Sequence, residues 1–107
     1  MKYDELNELD IGQLLVFTSN KARCLYEFYA VDRSKTISSI STSLENLRTR
    51  LFGSQLIRKK SHREDDLSKW SNDEIVDCLL SNIDLVDHKD YNRFNCILDL
   101  VDEIKLR

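Results

Sequence analysis

Two histidines and three cysteines are the side chains whose types best suit catalysis or metal binding, and their spacing favours neither. His62 and His88 stand 26 residues apart, and Cys24, Cys78 and Cys96 include no C-x-x-C pair. Structural zinc sites draw four Cys or His ligands from closely spaced pairs. We therefore expect no metal and no other cofactor.

Nucleophilic catalysis is not indicated either. A nucleophile needs a base within hydrogen-bond reach. His88 could act as such a base for Cys78 or Cys96, but we expect it to be exposed in a turn between helices. Gly12 and Gly53 stand alone, so the chain has no glycine-rich phosphate loop. The sequence predicts a protein that is not an enzyme and has no small-molecule substrate.

The composition predicts a single globular helical domain over residues 1–107. Hydrophobic residues make up 41% and charged residues 33% of a chain with no proline and two glycines, a shortage that disfavours turn-rich β-folds. The acidic start and the absence of an apolar run near the roughly 18 residues of a membrane span predict a cytoplasmic protein that binds no membrane. The odd number of cysteines indicates a reducing compartment, with each cysteine a small buried hydrophobe.

Apolar spacing predicts two helices in the first third of the chain. The first covers about residues 3–9, and the second begins with Asp10 as N-cap and continues to about Val31. Its polar centre, residues 18–20, is either a weak point in one long helix, which we favour, or the start of a second short helix capped by Ser19.

A third helix is predicted by apolar residues at 3-4-3-4 spacing that end before Gly53, a typical C-cap residue. Its start, residues 36–42, is rich in serine and threonine, so a short strand is an alternative there. The apolar positions are Ile37, Ile40, Leu44, Leu47 and Leu51.

Residues 54–70 break the periodicity and predict a long exposed connector. Ser71 and Glu74 form a capping box for the next helix, and Asp87 or Asp90 can cap the last one. The predicted fold is all-α: a single-domain bundle of four to five helices, antiparallel or orthogonal, with a long connector near 54–70.

The charge is unevenly distributed along the chain. Residues 1–63 carry 11 Lys and Arg against 7 Asp and Glu, a net +4, whereas residues 64–107 carry 5 against 12, a net −7. At about 100° per residue, three acids of the penultimate helix fall within roughly 40° of one another. Together with the acids of the last helix they could form a negative surface that attracts a basic partner. The candidate partner-binding residues are Asp73, Asp77, Asp84, Asp87, Asp99 and Asp102.

A basic cluster in the connector supports a competing interpretation. Arg58, Lys59, Lys60 and Arg63 are suited to phosphate contacts, which would make the protein a small helical nucleic-acid-binding regulator. The net negative charge and the three acids that follow the cluster argue against nucleic acid as a partner. A third alternative is an adaptor subunit of a larger assembly, with the apolar residues of the third helix partly exposed.

The immunity proteins of bacterial toxins resemble this chain in one stretch and in general character. The first helices of colicin D-type immunity proteins are similar to Asp10-Ile11-Gly12-Gln13-Leu14-Leu15-Val16-Phe17 followed by Glu27-Phe28. Small size, helical class and negative charge are shared with immunity proteins of contact-dependent growth-inhibition nucleases. The resemblance implies a protein that binds a cognate toxin, a basic nuclease domain, and occludes its active site sterically and electrostatically in the bacterial cytoplasm.

Overall fold

The structure, a computed structural model, describes residues 3–26, 32–53, 66–86 and 90–107. Within these ranges it contains five α-helices and no strand, so the predicted all-α fold is confirmed. No helix in the described part is long and apolar enough to cross a membrane. The helices are α1 (Tyr3–Asn7), α2 (Ile11–Arg23), α3 (Arg33–Phe52), α4 (Asn72–Asp84) and α5 (Tyr91–Leu106), with 3₁₀ turns at Cys24–Tyr26 and Leu67–Lys69.

Side-chain caps fix the helix boundaries. Ser71 completes the predicted capping box at the start of α4, and Asp10 is the predicted N-cap of α2, where Gln13 makes it a capping box as well. The cap of α5 is Asp90, whose carboxylate accepts a hydrogen bond from the backbone N–H of Arg93 at 2.9 Å. The other predicted cap, Asp87, lies outside the described residues. Gly53 ends α3 with a φ of 67°, a left-handed conformation that glycine adopts without a steric penalty.

The polar centre of α2 does not interrupt the helix. α2 is continuous through residues 18–20, which confirms the one-helix interpretation over that stretch, but its α-helical part ends at Arg23 rather than near Val31, which lies outside the described residues. Thr18 is buried, and its Oγ1 lies 2.7 Å from Ser43 Oγ on α3. A buried hydroxyl pair between two helices thus stands where the sequence suggested a break.

The start of α3 is helical, so the alternative of a strand over residues 36–42 is wrong. Thr36 and Thr42 each donate a hydroxyl hydrogen bond to the carbonyl four residues earlier, at 3.3 and 2.9 Å. These bonds satisfy the hydroxyls without disrupting the backbone hydrogen bonds of the helix. The helix tolerates its poor intrinsic propensity because Ile40, Leu44 and Leu47 bury its apolar face in the core.

The four long helices form a ring in which neighbours run in opposite directions. α2 packs on α3 and α4, and α5 packs on the same two helices. Arg33, at the start of α3, donates to the carbonyl of Ile104, near the end of α5. Arg93, near the start of α5, donates to Asn82 Oδ1, near the end of α4, at 3.1 Å. Since α3 and α4 are both antiparallel to α5, they point in the same direction.

This shared direction explains why the connector after α3 is long. Gly53 ends α3 at one end of the bundle, whereas Asp66 caps the turn that packs at the opposite end, where α4 begins. With its 20 residues α3 is about 30 Å long, so no tight turn can join α3 to α4. Residues 54–65 of the predicted connector lie outside the described residues.

The core fills the space between the four helices and contains most of the predicted apolar positions. Cys24 is exposed, although the sequence predicts every cysteine to be buried, and its neighbour Tyr26 is exposed as well. The chain tightens from an α-helix to a 3₁₀ turn here, so Leu25 alone keeps a buried position. Cys78 and Cys96 are half-buried. The largest fully buried side chains include Leu14, Ile40, Leu44, Leu47, Ile75, Leu79, Ile83, Phe94, Ile97, Leu100 and Ile104.

Arg107 joins the end of α5 to the start of α4. Its guanidinium donates to Asn72 Oδ1 at 2.7 Å, to the carbonyls of Leu67 and Trp70 at 2.9 and 2.7 Å, and to Glu103 Oε1 at 3.2 Å. The side chain is only 20% exposed, so these charge-assisted bonds are partly shielded from water. One side chain therefore holds the turn before α4, the first residue of α4 and the last turn of α5 together.

We predict that Arg107→Ala lowers the free energy of unfolding by about 2 kcal/mol, because carbonyls and amides at the end of the bundle lose a charged donor. Urea denaturation followed by circular dichroism measures the change. Lys105→Ala is the matched control, since Lys105 lies in the same turn but is exposed, and its effect should stay within about 0.5 kcal/mol. Equal losses in the two variants would contradict the role assigned to Arg107.

Candidate functional site

The exposed side of α4 carries acidic residues and no basic residue. Asp73, Glu74, Asp77 and Asp84 are all exposed, and the helix contains neither Lys nor Arg. We refer to Asp73, Asp77 and Asp84 as the α4 acidic edge. The opposite side of the helix is fixed in the core by Ile75, Val76, Leu79 and Ile83.

Tyr26 reaches the acidic edge from the 3₁₀ turn that follows α2. Its hydroxyl donates a hydrogen bond to Asp77 Oδ1. This bond is the main reason that the pKa of Tyr26 is raised, with smaller contributions from desolvation and from the negative charges of Asp77 and Asp73, while Arg23 acts in the opposite direction. The ring stays 43% exposed. An aromatic side chain is thus held in place among carboxylates on the surface.

A groove between α2 and α4 lies towards the other end of the acidic edge. It has a volume of about 260 Å³, and Asp84 forms part of its wall. Val16, which lines the groove, is 61% exposed. Leu85, the residue after Asp84 in the chain, is exposed to the same extent. The groove is lined, among others, by Val16, Ser19, Asn20, Arg23, Ile83 and Asp84.

Asp102 of α5 does not join the α4 acidic edge. Asp102 lines a different groove, between α3 and α5, together with Arg48 and Lys105. Asp99 is half-buried on α5. In the ring of helices the α3–α5 groove and the α2–α4 groove lie on opposite sides of the bundle. The structure therefore brings three of the six candidate acids together and places Asp102 beside basic residues.

Asp87 and the basic residues of the connector, Arg58, Lys59, Lys60 and Arg63, lie outside the described residues, as do both histidines. Among the residues that are described, no group of three or more His, Cys, Asp or Glu side chains is arranged to hold a metal ion.

Two exposed residues of the site were missed by the sequence reasoning. Val16 stands two positions after Leu14, so a helical projection alone places it away from the core. Leu85 follows the last helical residue of α4, where the apolar pattern gives no direction. The helical projection could therefore have identified Val16 as exposed, whereas nothing in the sequence pattern indicates that Leu85 is exposed.

The fold and the site define a small antiparallel helical bundle with a one-sided acidic edge, an aromatic residue within it and a groove beside it. Comparison of the chain with protein-family models, with curated proteins and with solved structures finds no match.

We predict that Asp77→Asn lowers the pKa of Tyr26 towards its ordinary value, because the carboxylate charge that opposes phenolate formation is removed. Tyrosine ring ¹³C shifts followed against pH measure the titration, with Asp84→Asn as the control that should leave it unchanged. Since the folded-state pKa is raised, the stabilisation from this contact is complete below the ordinary pKa of 10.0 and is lost as pH rises through the raised value. An unchanged pKa in Asp77→Asn would contradict the assigned contact.

Proposed function

We propose that this protein is a non-catalytic inhibitor of the immunity type, which binds a cognate nuclease toxin and covers its basic active site. The α4 acidic edge is the observation that carries the proposal. A nuclease must attract phosphate, so its active site presents positive charge, and three exposed carboxylates on a helix without basic residues complement that charge.

The position of α4 in the bundle supports this role. The helix is packed against α2 and α5, its first turn is closed by the Ser71–Glu74 capping box, and Arg107 holds Asn72. Asp73 and Asp84 are eleven residues apart, which spreads the charge over about 16 Å of helix. Carboxylates on a rigid element lose little conformational entropy when a partner binds.

Tyr26 supplies the kind of side chain that anchors a protein interface. Tyrosine is enriched at the centres of such interfaces because it offers a large contact area with few rotatable bonds. Its contact with Asp77 already fixes the ring before a partner arrives. An interface centred on Tyr26 would have a buried aromatic core and a rim of carboxylates.

The first test is recovery of the partner from the native host with a tagged chain, followed by a nuclease assay on the protein recovered. The proposal expects a basic nuclease that an equimolar amount of this chain inhibits. Recovery of nucleic acid without a protein would contradict the proposal and favour the basic cluster at residues 58–63. A stable assembly whose partner is not inhibited would favour the adaptor alternative.

We predict that Asp73→Asn/Asp77→Asn slows association with that nuclease about tenfold at low salt, because the charge that steers the encounter is reduced. Stopped-flow mixing measures the rate, and the difference should shrink as salt is raised. The control Glu8→Gln/Asp102→Asn removes the same charge from exposed positions off α4. If the control slows association equally, net charge rather than the acidic edge is responsible.

A further inference from the structure

Ser19 has a buried hydroxyl with no hydrogen-bond partner. The residue is 5% exposed and lines the α2–α4 groove. Its neighbour Thr18 shows the usual arrangement: that hydroxyl lies 2.7 Å from both the carbonyl of Leu14 and Ser43 Oγ. Buried polar groups without partners are rare in folded proteins. The Ser19 hydroxyl is therefore an unused hydrogen-bonding group in the wall of the groove.

The groove around Ser19 combines a carboxylate with apolar surface. Asp84 supplies the negative charge from α4, and Val16, which is 61% exposed, supplies the apolar surface above the buried Ile83. Arg23 also lines the groove, but it lies two helical turns beyond Val16 and donates to Asn20 Oδ1 at 3.3 Å. Its positive charge partly offsets the rise in the pKa of Tyr26, at the other end of the acidic edge. The end of the groove at Asp84 thus has negative charge, an unused hydroxyl and an apolar wall.

We propose that this groove receives an arginine side chain of a basic partner protein, an inference that rests on the proposed function and names its anchor. The aliphatic stem would pack on Val16, and the guanidinium would donate to the Asp84 carboxylate and, at the bottom of the groove, to the buried Ser19 Oγ. Arginine fits because its planar fork presents several donors at fixed angles and can serve two acceptors at once, whereas a lysine ammonium is a compact point charge. The exposed Leu85 next to Asp84 favours apolar residues on either side of that arginine.

The experiment titrates ¹⁵N-labelled protein with the capped tripeptide leucine–arginine–leucine and, separately, with the same peptide carrying citrulline, which keeps the shape of arginine without its charge. We expect the arginine peptide to shift the amide signals of residues 16–20 and 83–85, with an affinity at least fivefold above that of the citrulline peptide. Equal affinities, or shifts confined to the α3–α5 groove, would overturn the proposal.

Two variants separate binding from stability. Ser19→Ala should weaken the arginine peptide about threefold yet raise the melting temperature, because it removes a hydroxyl that has no partner. Ser43→Ala is the matched control: it removes a paired buried hydroxyl, so it should lower the melting temperature and leave peptide affinity unchanged.

Asp84→Asn should reduce affinity for the arginine peptide at least fivefold. Unchanged binding in both Asp84→Asn and Ser19→Ala would refute the arginine site. It would leave the proposed function standing, since that is tested with Asp73 and Asp77 and an intact nuclease. Conversely, peptide binding at the groove without an inhibited nuclease would uphold the arginine site alone.

Discussion

The parallel orientation of α3 and α4 is the constraint on which the rest of the structure depends. It places α4 diagonally opposite α3 in the ring and therefore beside α2 and α5. Only in this order can Tyr26, which follows α2, reach Asp77, and only then does a groove form between α2 and α4. A simple up-and-down order would set α4 beside α3 instead, against an entirely different set of side chains.

Much of the fold could be predicted because its signals are local. The capping residues Asp10 and Ser71, the glycine after α3 and the apolar spacing within each helix depend only on neighbours a few positions away. Each of these features appears in the structure where the sequence predicts it. The exposed Tyr26 could not be predicted in this way, because the 3₁₀ turn that carries it packs against α4, which is distant in the chain.

The candidate site was predictable only within single helices. A helical projection correctly groups Asp73, Asp77 and Asp84, since all three belong to α4. It contains no information on which neighbour a helix faces, so it could not show that Asp102 lines the α3–α5 groove with Arg48 and Lys105 on the other side of the bundle. The unpartnered hydroxyl of Ser19 is likewise a tertiary feature: its sequence context, flanked by Thr18 and Asn20, indicates only a weak point in the helix.

The long crossing between α3 and α4 has a consequence for how the chain folds. Each half of the sequence supplies one helical hairpin, α2–α3 from the first half and α4–α5 from the second, and each can form through contacts close in sequence before the two meet. Residues 11–53, which contain the first hairpin, carry a net charge of +3, and residues 72–107, which contain the second, carry a net charge of −5. Their mutual attraction should therefore accelerate the docking of one hairpin on the other. Added salt should therefore slow folding at this docking step while the hairpins themselves form at an unchanged rate.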